Sequence, residues 1–193
     1  MNESKKYNKL VFYLEACESG SMFNDNKLAN NTSIFASTAA SPDQSSWGTY
    51  CPPQDKVNGK SLNTCLGDLY SVNWMENSDK DNLSTETIDQ QYTDVKKLTT
   101  KSIVEQYGDM ALLPLPVGQF LGNDTVTPGY DNSEFVTPEH HVDSRDAKLD
   151  YLYHSYKNTK SKDMFRQLID ELMERQFSDN VFEEFDRRYN IKE

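Results

Sequence analysis

Leu10-Val-Phe-Tyr-Leu-Glu-Ala16, running straight into Cys17-Glu-Ser-Gly-Ser21, is the stretch on which the fold class turns. The run is continuously apolar as far as Leu14, with β-branched and aromatic side chains. It predicts a buried strand of the parallel kind rather than an amphipathic one. The small residues that follow predict a tight turn. A nucleophile at the C-terminal end of a buried parallel strand is where open α/β sheets carry their sites, and Cys17 has that position. The turn Glu18-Ser-Gly-Ser21 would leave backbone N–H groups to face a developing oxyanion. A buried structural cysteine fits the same position, because Cys is among the most buried residue types.

Outward from this strand, Ser33-Ile-Phe-Ala-Ser-Thr38 predicts a second strand, ending in Ala39-Ala-Ser-Pro42, with a polar loop or short helix between the two. Asp43 to Leu66 reads as loop, broken by Gly48, Pro52, Pro53 and Gly59. Asp68 to Glu76 reads as a short helix. Ser84 is a natural N-cap for the next one, with Leu83 and Ile88 as its hydrophobic staple. Ile88, Tyr92, Val95 and Leu98 then follow at helical spacing. Val117 to Leu121 predicts a last strand after Pro114-Leu-Pro116. The chain thus divides into an α/β unit over residues 1–122, a polar, Pro-bearing linker over 123–143 and a helical tail over 144–193. In the tail, Leu149, Leu152, Tyr153 and Tyr156 form one apolar stripe. Phe165, Leu168, Ile169, Leu172, Met173 and Phe177 form a second. Both need a partner surface, and core-facing helices explain them better than any cofactor role.

The formal charge of −11 and pI of about 4.7 argue against nucleic acid or an anionic membrane as a partner, since Lys and Arg supply most phosphate affinity. No apolar run approaches the ~20 residues of a membrane-spanning helix. Met1 to Asn8 is polar, with no apolar stretch of signal-peptide length behind it. Of the three cysteines, Cys51 and Cys65 have plausible loop-closing disulfide spacing, while a reducing compartment would leave all three free. Asn30, Asn31, Asn82 and Asn123 open N-glycosylation triplets, some of which an Asn-rich chain acquires by chance.

Leu14-Glu-Ala-Cys-Glu-Ser-Gly-Ser-Met22 resembles the nucleophile segment of legumain-type (asparaginyl) cysteine endopeptidases, the vacuolar processing enzymes of peptidase family C13. Five further segments follow in the family's order. They are Ser37-Thr-Ala-Ala40, Gln44-Ser-Ser-Trp-Gly-Thr-Tyr-Cys51, Cys65-Leu-Gly-Asp-Leu-Tyr-Ser-Val-Asn-Trp-Met-Glu76, Glu105-Gln-Tyr-Gly108 and Val117-Gly-Gln-Phe-Leu-Gly122. The lipid-anchor transamidase branch carries a different sequence around its cysteine and is set aside. The resemblance implies a caspase-like three-layer α/β sandwich, of which this chain would hold the C-terminal part, followed by a C-terminal helical tail. It implies proteolysis after Asn, less readily after Asp, in an acidic compartment such as a lysosome or vacuole. The partners would be protein or peptide substrates with Asn or Asp at the cleavage site, with no metal and no cofactor.

Carried over residue by residue, Cys17 becomes the nucleophile, with its own N–H in the oxyanion hole. Glu15, Ser46 and Asp68 become the lining of the specificity pocket. That suits an Asn carboxamide, whose NH₂ donates and whose natural acceptors are carboxylates. Ser45, Ser46 and Trp47 become the edge against which substrate backbone lies, and Cys51–Cys65 becomes a disulfide. Gly48 would leave room beside Trp47, which in this family tends towards hydrolysis rather than ligation. Without the resemblance, Glu15 reads as a salt-bridged structural carboxylate and Asp68 as a helix N-cap.

The family's catalytic histidine lies upstream of its cysteine, and no histidine precedes Cys17 here. The expectation is a chain lacking the N-terminal half of the catalytic domain and inactive alone. His140, His141 and His154 fall in the linker and first tail helix and are not expected to serve. Val142 onward, especially Ser144-Arg-Asp-Ala-Lys-Leu149, resembles the start of the family's inhibitory prodomain, which implies an intramolecular prodomain contact. The alternative is a non-catalytic fragment or pseudoenzyme that binds peptides or a parent protease. A third arrangement has a second polypeptide supplying the upstream half.

Overall fold

The opening apolar run forms strand β1, Leu10–Leu14, in the computed structural model, which describes residues 6–25, 27–122, 138 and 140–190. β1 pairs in parallel with β2, Ile34–Thr38, from Leu10↔Ile34 to Leu14↔Thr38. The strand on the far side of β2 is β7, Glu105–Gly108, which runs antiparallel. The order β1-β2-β7 places β2 in the middle and β1 at the edge of the described sheet. That corrects the expectation of a β1 buried on both faces. Phe35, Ala36, Ser37 and Thr38 are buried, whereas Phe12 is 43% exposed. An apolar run reports a demand for burial, and strand order decides whether the demand is met.

Glu105–Gly108 is short and polar and gave no strand signal. It pairs because β2 offers a free edge and because Gly108, at φ 89°, lets the chain pass β2 closely. A Cβ there would stand 2.2 Å from the Ile34 carbonyl oxygen.

Helices α1 (Leu69–Lys80) and α2 (Ile88–Leu98) pack on each other and on one face of the sheet. Phe35, Ile88, Leu112 and Val117 form one buried cluster, and Ala39, Tyr70, Val95 and Val104 a second. α1 runs four residues beyond the predicted end. α2 is capped by Thr87, not Ser84: Thr87 accepts from Gln90 N–H, and the Gln90 side chain accepts from Thr87 N–H. Ser84 meets the cap preference equally, but only Thr87 has Gln at the third helical position to complete the reciprocal box.

The predicted strand over Val117–Leu121 is instead a helical turn, α3, Gly118–Leu121. The N–H groups of Val117 and Gly118 bond back to the Glu86 and Leu83 carbonyls, and Phe120 N–H bonds to Val117. Val117 and Phe120 therefore reach the same core cluster from one side of a turn.

The supposed loop over 43–66 contains β3, Trp47–Thr49, and a hairpin of β4, Lys56–Val57, with β5, Lys60–Ser61, around Asn58-Gly59. Asn-Gly is the strongest short hairpin signal. β3 is the middle of a second sheet. On one side lies β6, Gly67–Asp68; on the other lies β8, Val142–Asp143, from the end of the supposed linker.

A 3-10 turn, Ser144–Asp146, leads into α4, Ala147–Thr159, and α5, Lys162–Tyr189. Leu152 is buried as its stripe predicts. The second stripe behaves otherwise. Phe165, Ile169, Leu172, Met173 and Phe177 are exposed, and the most buried residue of α5 is Glu171. Glu171 is held by Lys148 at 2.6 Å and Arg175 at 2.9 Å. The α4–α5 contact thus combines the Tyr156–Phe165 ring pair with a Lys148–Glu171 ion pair that hydrophobic periodicity cannot reveal. Nor is the tail a unit apart from the sheets, because β8 joins it to β3.

Candidate active site

β1 delivers Glu15 and Cys17 at the end of its parallel pairing with β2. Glu18 then turns the chain at φ 48°, a left-handed conformation that a non-glycine residue adopts at a cost of about 1–2 kcal/mol. The turn is fastened on several sides. Glu18 N–H donates to Gln44 O at 2.7 Å, Gly20 N–H to Ala40 O at 3.0 Å and Ser21 N–H to Glu18 O at 2.8 Å. Ser19, buried, donates to Ala40 O and accepts from Ala40 N–H. These bonds correct the idea of a turn with free amides: those of Glu18, Gly20 and Ser21 already have acceptors.

The sulfur of Cys17 faces Ser46. Ser46 N–H donates to Sγ at 3.3 Å, and the Ser46 hydroxyl lies 3.7 Å from it. Cys17 is the free thiol of the chain, and Cys51 and Cys65 are disulfide-bonded. That bridge packs on β3. A Cβ at Gly48 would meet Cys65 Sγ at 3.0 Å, so Gly48 leaves no spare room at that point but admits the disulfide.

Glu15 points to the N-terminus of α1. Its Oε2 accepts from Ser71 N–H at 2.8 Å and from the Ser71 hydroxyl at 2.9 Å. Glu15 therefore supplies the cap, and Asp68, at the N-cap position, makes no side-chain cap bond. Burial pushes the Glu15 carboxyl up to about 7, against the pull of the Ser71 and Ser46 donors, and the nearby Asp68 charge adds to the rise. Burial raises Asp68 as well. Glu15 thus has Ser46 as a donor and lies within reach of the Asp68 charge. Ser71 was missed, since a partner 56 positions away leaves no local signal.

The edge formed by Ser45, Ser46 and Trp47 is covered. Trp47 pairs with Asp143 and Gly48 with Val142. Ser144 N–H donates to Ser46 O at 3.0 Å, and the Ser144 and Ser46 hydroxyls are 3.0 Å apart. Arg145 donates to Ser45 Oγ at 3.0 Å and forms an ion pair with Glu18. Glu18, followed by the Cys17 charge, holds its guanidinium above the usual arginine range. Arg145 is itself gripped by α5: Arg175 donates to its carbonyl at 2.8 Å and pairs with Asp146 at 2.5 Å. The pattern that finds these residues is the prodomain-like Ser144-Arg-Asp-Ala motif, not their spacing from Cys17.

His140 and His141 stand just before β8 in the chain. With Trp47, Val142 and Tyr153 they line a cavity of about 640 Å³ between the second sheet and the tail helices. Burial, then the Lys101 charge, lowers the His141 pKa. His154 pairs with Asp150 at 3.5 Å. None of the three is a hydrogen-bonding neighbour of Cys17 among the described residues.

Set beside known proteins, residues 1–123 match the family model described as the peptidase C13 family. The vacuolar-processing enzyme of Vicia sativa is 38% identical over 196 residues, covering 92% of this chain and 39% of the relative. That of Ricinus communis is 37% identical over 188 residues, covering 90% and 38%. The hemoglobinase of Schistosoma mansoni is 36% identical over 172 residues, covering 88% and 38%.

Proposed function

The chain belongs to the peptidase C13 family, and from that premise we propose that it forms the nucleophile-bearing part of a caspase-like cysteine endopeptidase that cleaves proteins after asparagine. The observation that carries this reading is the set of groups around Ser46. Its N–H meets the Cys17 sulfur, and its side chain is a donor to the Glu15 carboxyl, which the Asp68 charge also reaches. The Cys17 thiol gives up its proton and its sulfur attacks the scissile carbonyl carbon; the C–N bond breaks, the amine leaves carrying that proton, and water hydrolyses the thioester to the free acid and the thiol. Substrate Asn donates its carboxamide N–H groups to Glu15 and Asp68. A substrate Asp offers no such donor while ionised, so it is accepted only as protons become available to the pocket. Glu15, titrating at about 7, supplies one such proton in an acidic compartment. A vacuole or lysosome fits this reading.

The tail segment Val142–Arg145 lies along the edge that substrate backbone would use, pairing with β3 as a substrate strand would. It acts as an intramolecular inhibitor that must leave before Cys17 can be reached. The test uses the protein purified from its source and a fluorogenic peptide series in mild acid. Turnover after Asn, lost in Cys17→Ser, is the expected result. Equal turnover in that variant, or cleavage indifferent to the residue before the bond, overturns the reading.

A further inference from the structure

One triplet singled out in the sequence stands on a turn that the site does not use. We propose that Asn82, in Asn82-Leu-Ser84, carries an N-linked oligosaccharide. Asn82 is exposed and follows Asp81, the C-cap of α1. Its Oδ1 accepts from Ser84 N–H at 3.0 Å, closing an Asx turn. Its backbone carbonyl accepts from Thr85 and Glu86 N–H, each at 2.9 Å.

The turn is fastened on both sides of the asparagine. Leu83 packs against the Phe35–Ile88 cluster, and its carbonyl accepts from Gly118 N–H at 2.8 Å. Asn77 Nδ2 reaches both Asp81, at 2.7 Å, and the buried Glu86, at 2.9 Å. A rigid turn thus presents one exposed asparagine, with the hydroxyl residue the transferase requires two positions on.

The other triplets are less well placed. Asn30 and Asn31 depend on a stretch that enters β2 directly. There the Thr32 carbonyl accepts from Tyr7, 25 positions away, tying the stretch to the segment before β1. Asn2, in Asn2-Glu3-Ser4, and Asn123 lie outside the described residues.

In the transfer, Asn82 Nδ2 bonds to the anomeric carbon of a lipid-diphosphate-linked oligosaccharide. The C–O bond to the diphosphate breaks, lipid diphosphate leaves, and one Nδ2 proton passes to a base of the membrane transferase. The length of α1, ~18 Å at 1.5 Å per residue, separates Asn82 from Asp68 and the carboxyl pocket. The sugar would cover the α1–α2 corner and leave Cys17 open.

This inference rests on the vacuolar or lysosomal placement above. Protein from its source, released from glycans by peptide N-glycosidase in heavy-oxygen water and mapped by mass spectrometry, tests it. Asn82 recovered as labelled aspartate is the expected result. Label at another triplet with Asn82 unlabelled overturns this assignment and leaves the placement standing; no label at any triplet overturns both. As a second readout, Asn82→Gln and Ser84→Ala should each lose one glycan's mass without changing Cys17 alkylation. Unchanged mass in both would sink the proposal.

Discussion

Burial lifts the Glu15 carboxyl from its ordinary 4.5 to about 7, so the folded chain holds this proton more tightly than the unfolded chain does. Between those two values the native state is the more protonated one. Stability therefore falls as pH rises through this window. Glu15→Gln keeps a neutral group in place and should remove that slope. Melting temperatures taken below and above the window should show the variant gaining on the parent only at the higher pH. An equal gain at both would place the origin of the slope elsewhere. Ser71→Ala removes the hydroxyl donor to the charged form, leaves the backbone N–H in place, and should push the Glu15 titration higher still, visible as a steeper slope at neutral pH.

At the scale of elements, β3 is held by two devices. One is the Cys51–Cys65 bridge, which closes a loop of 14 positions between β3 and β6. Loop-closure entropy assigns such a bridge about 3 kcal/mol. Denaturant melts of a Cys51→Ala/Cys65→Ala double variant should show a loss of that order, and an unchanged midpoint would refute it. The other device is the tail, through β8 and Arg145. Arg145→Ala removes the contacts to Glu18 and Ser45 and should raise the rate of Cys17 alkylation severalfold. Arg175→Ala reaches the site through the Arg145 carbonyl and Asp146 and also loses its link to Glu171 within α5, so its effect on alkylation should be smaller but of the same sign. Alkylation rates indifferent to both substitutions would show that the tail does not guard the thiol.

For the whole molecule, the described residues bring a sulfur, an N–H donor and two carboxyls together, with no histidine against the sulfur. A positioned general base contributes typically ~10²–10⁴-fold. The 193-residue chain expressed alone should therefore hydrolyse an Asn-ended peptide slowly, at a rate close to that of its Cys17→Ser variant. Rapid turnover abolished by that substitution would mean that another group, such as His140 or His141, reaches the thiol in solution.

Much of this was legible in the residues, and where it was not the reason is physical. β1, β2, α2, α4 and α5 follow from apolar runs and helical spacing, which depend on neighbours in the chain. Cys17 at a strand end and the Cys51–Cys65 pair followed from motif order. Short elements such as β7 and β8 carry no signal of their own. They exist because β2 and β3 each present an unpaired edge, and a strand edge is satisfied by whatever backbone arrives. Val117–Leu121 misled because its apolar side chains serve a turn as well as a strand. The Glu15–Ser71 cap, the Glu171–Arg175 link and the Arg145 clamp join residues far apart in sequence or on faces that periodicity ranks as solvent. By itself, the sequence determined the α/β class, because apolar runs and helical spacing are local patterns, and through its family resemblance it marked Cys17, Glu15, Ser46 and Asp68 as candidates for a site. Only the tertiary structure decided that β1 lies at an edge, that Glu15 rather than Asp68 caps α1, and that the tail covers the site. Each of those depends on which hydrogen-bonding groups remain unpaired once the longer elements have packed.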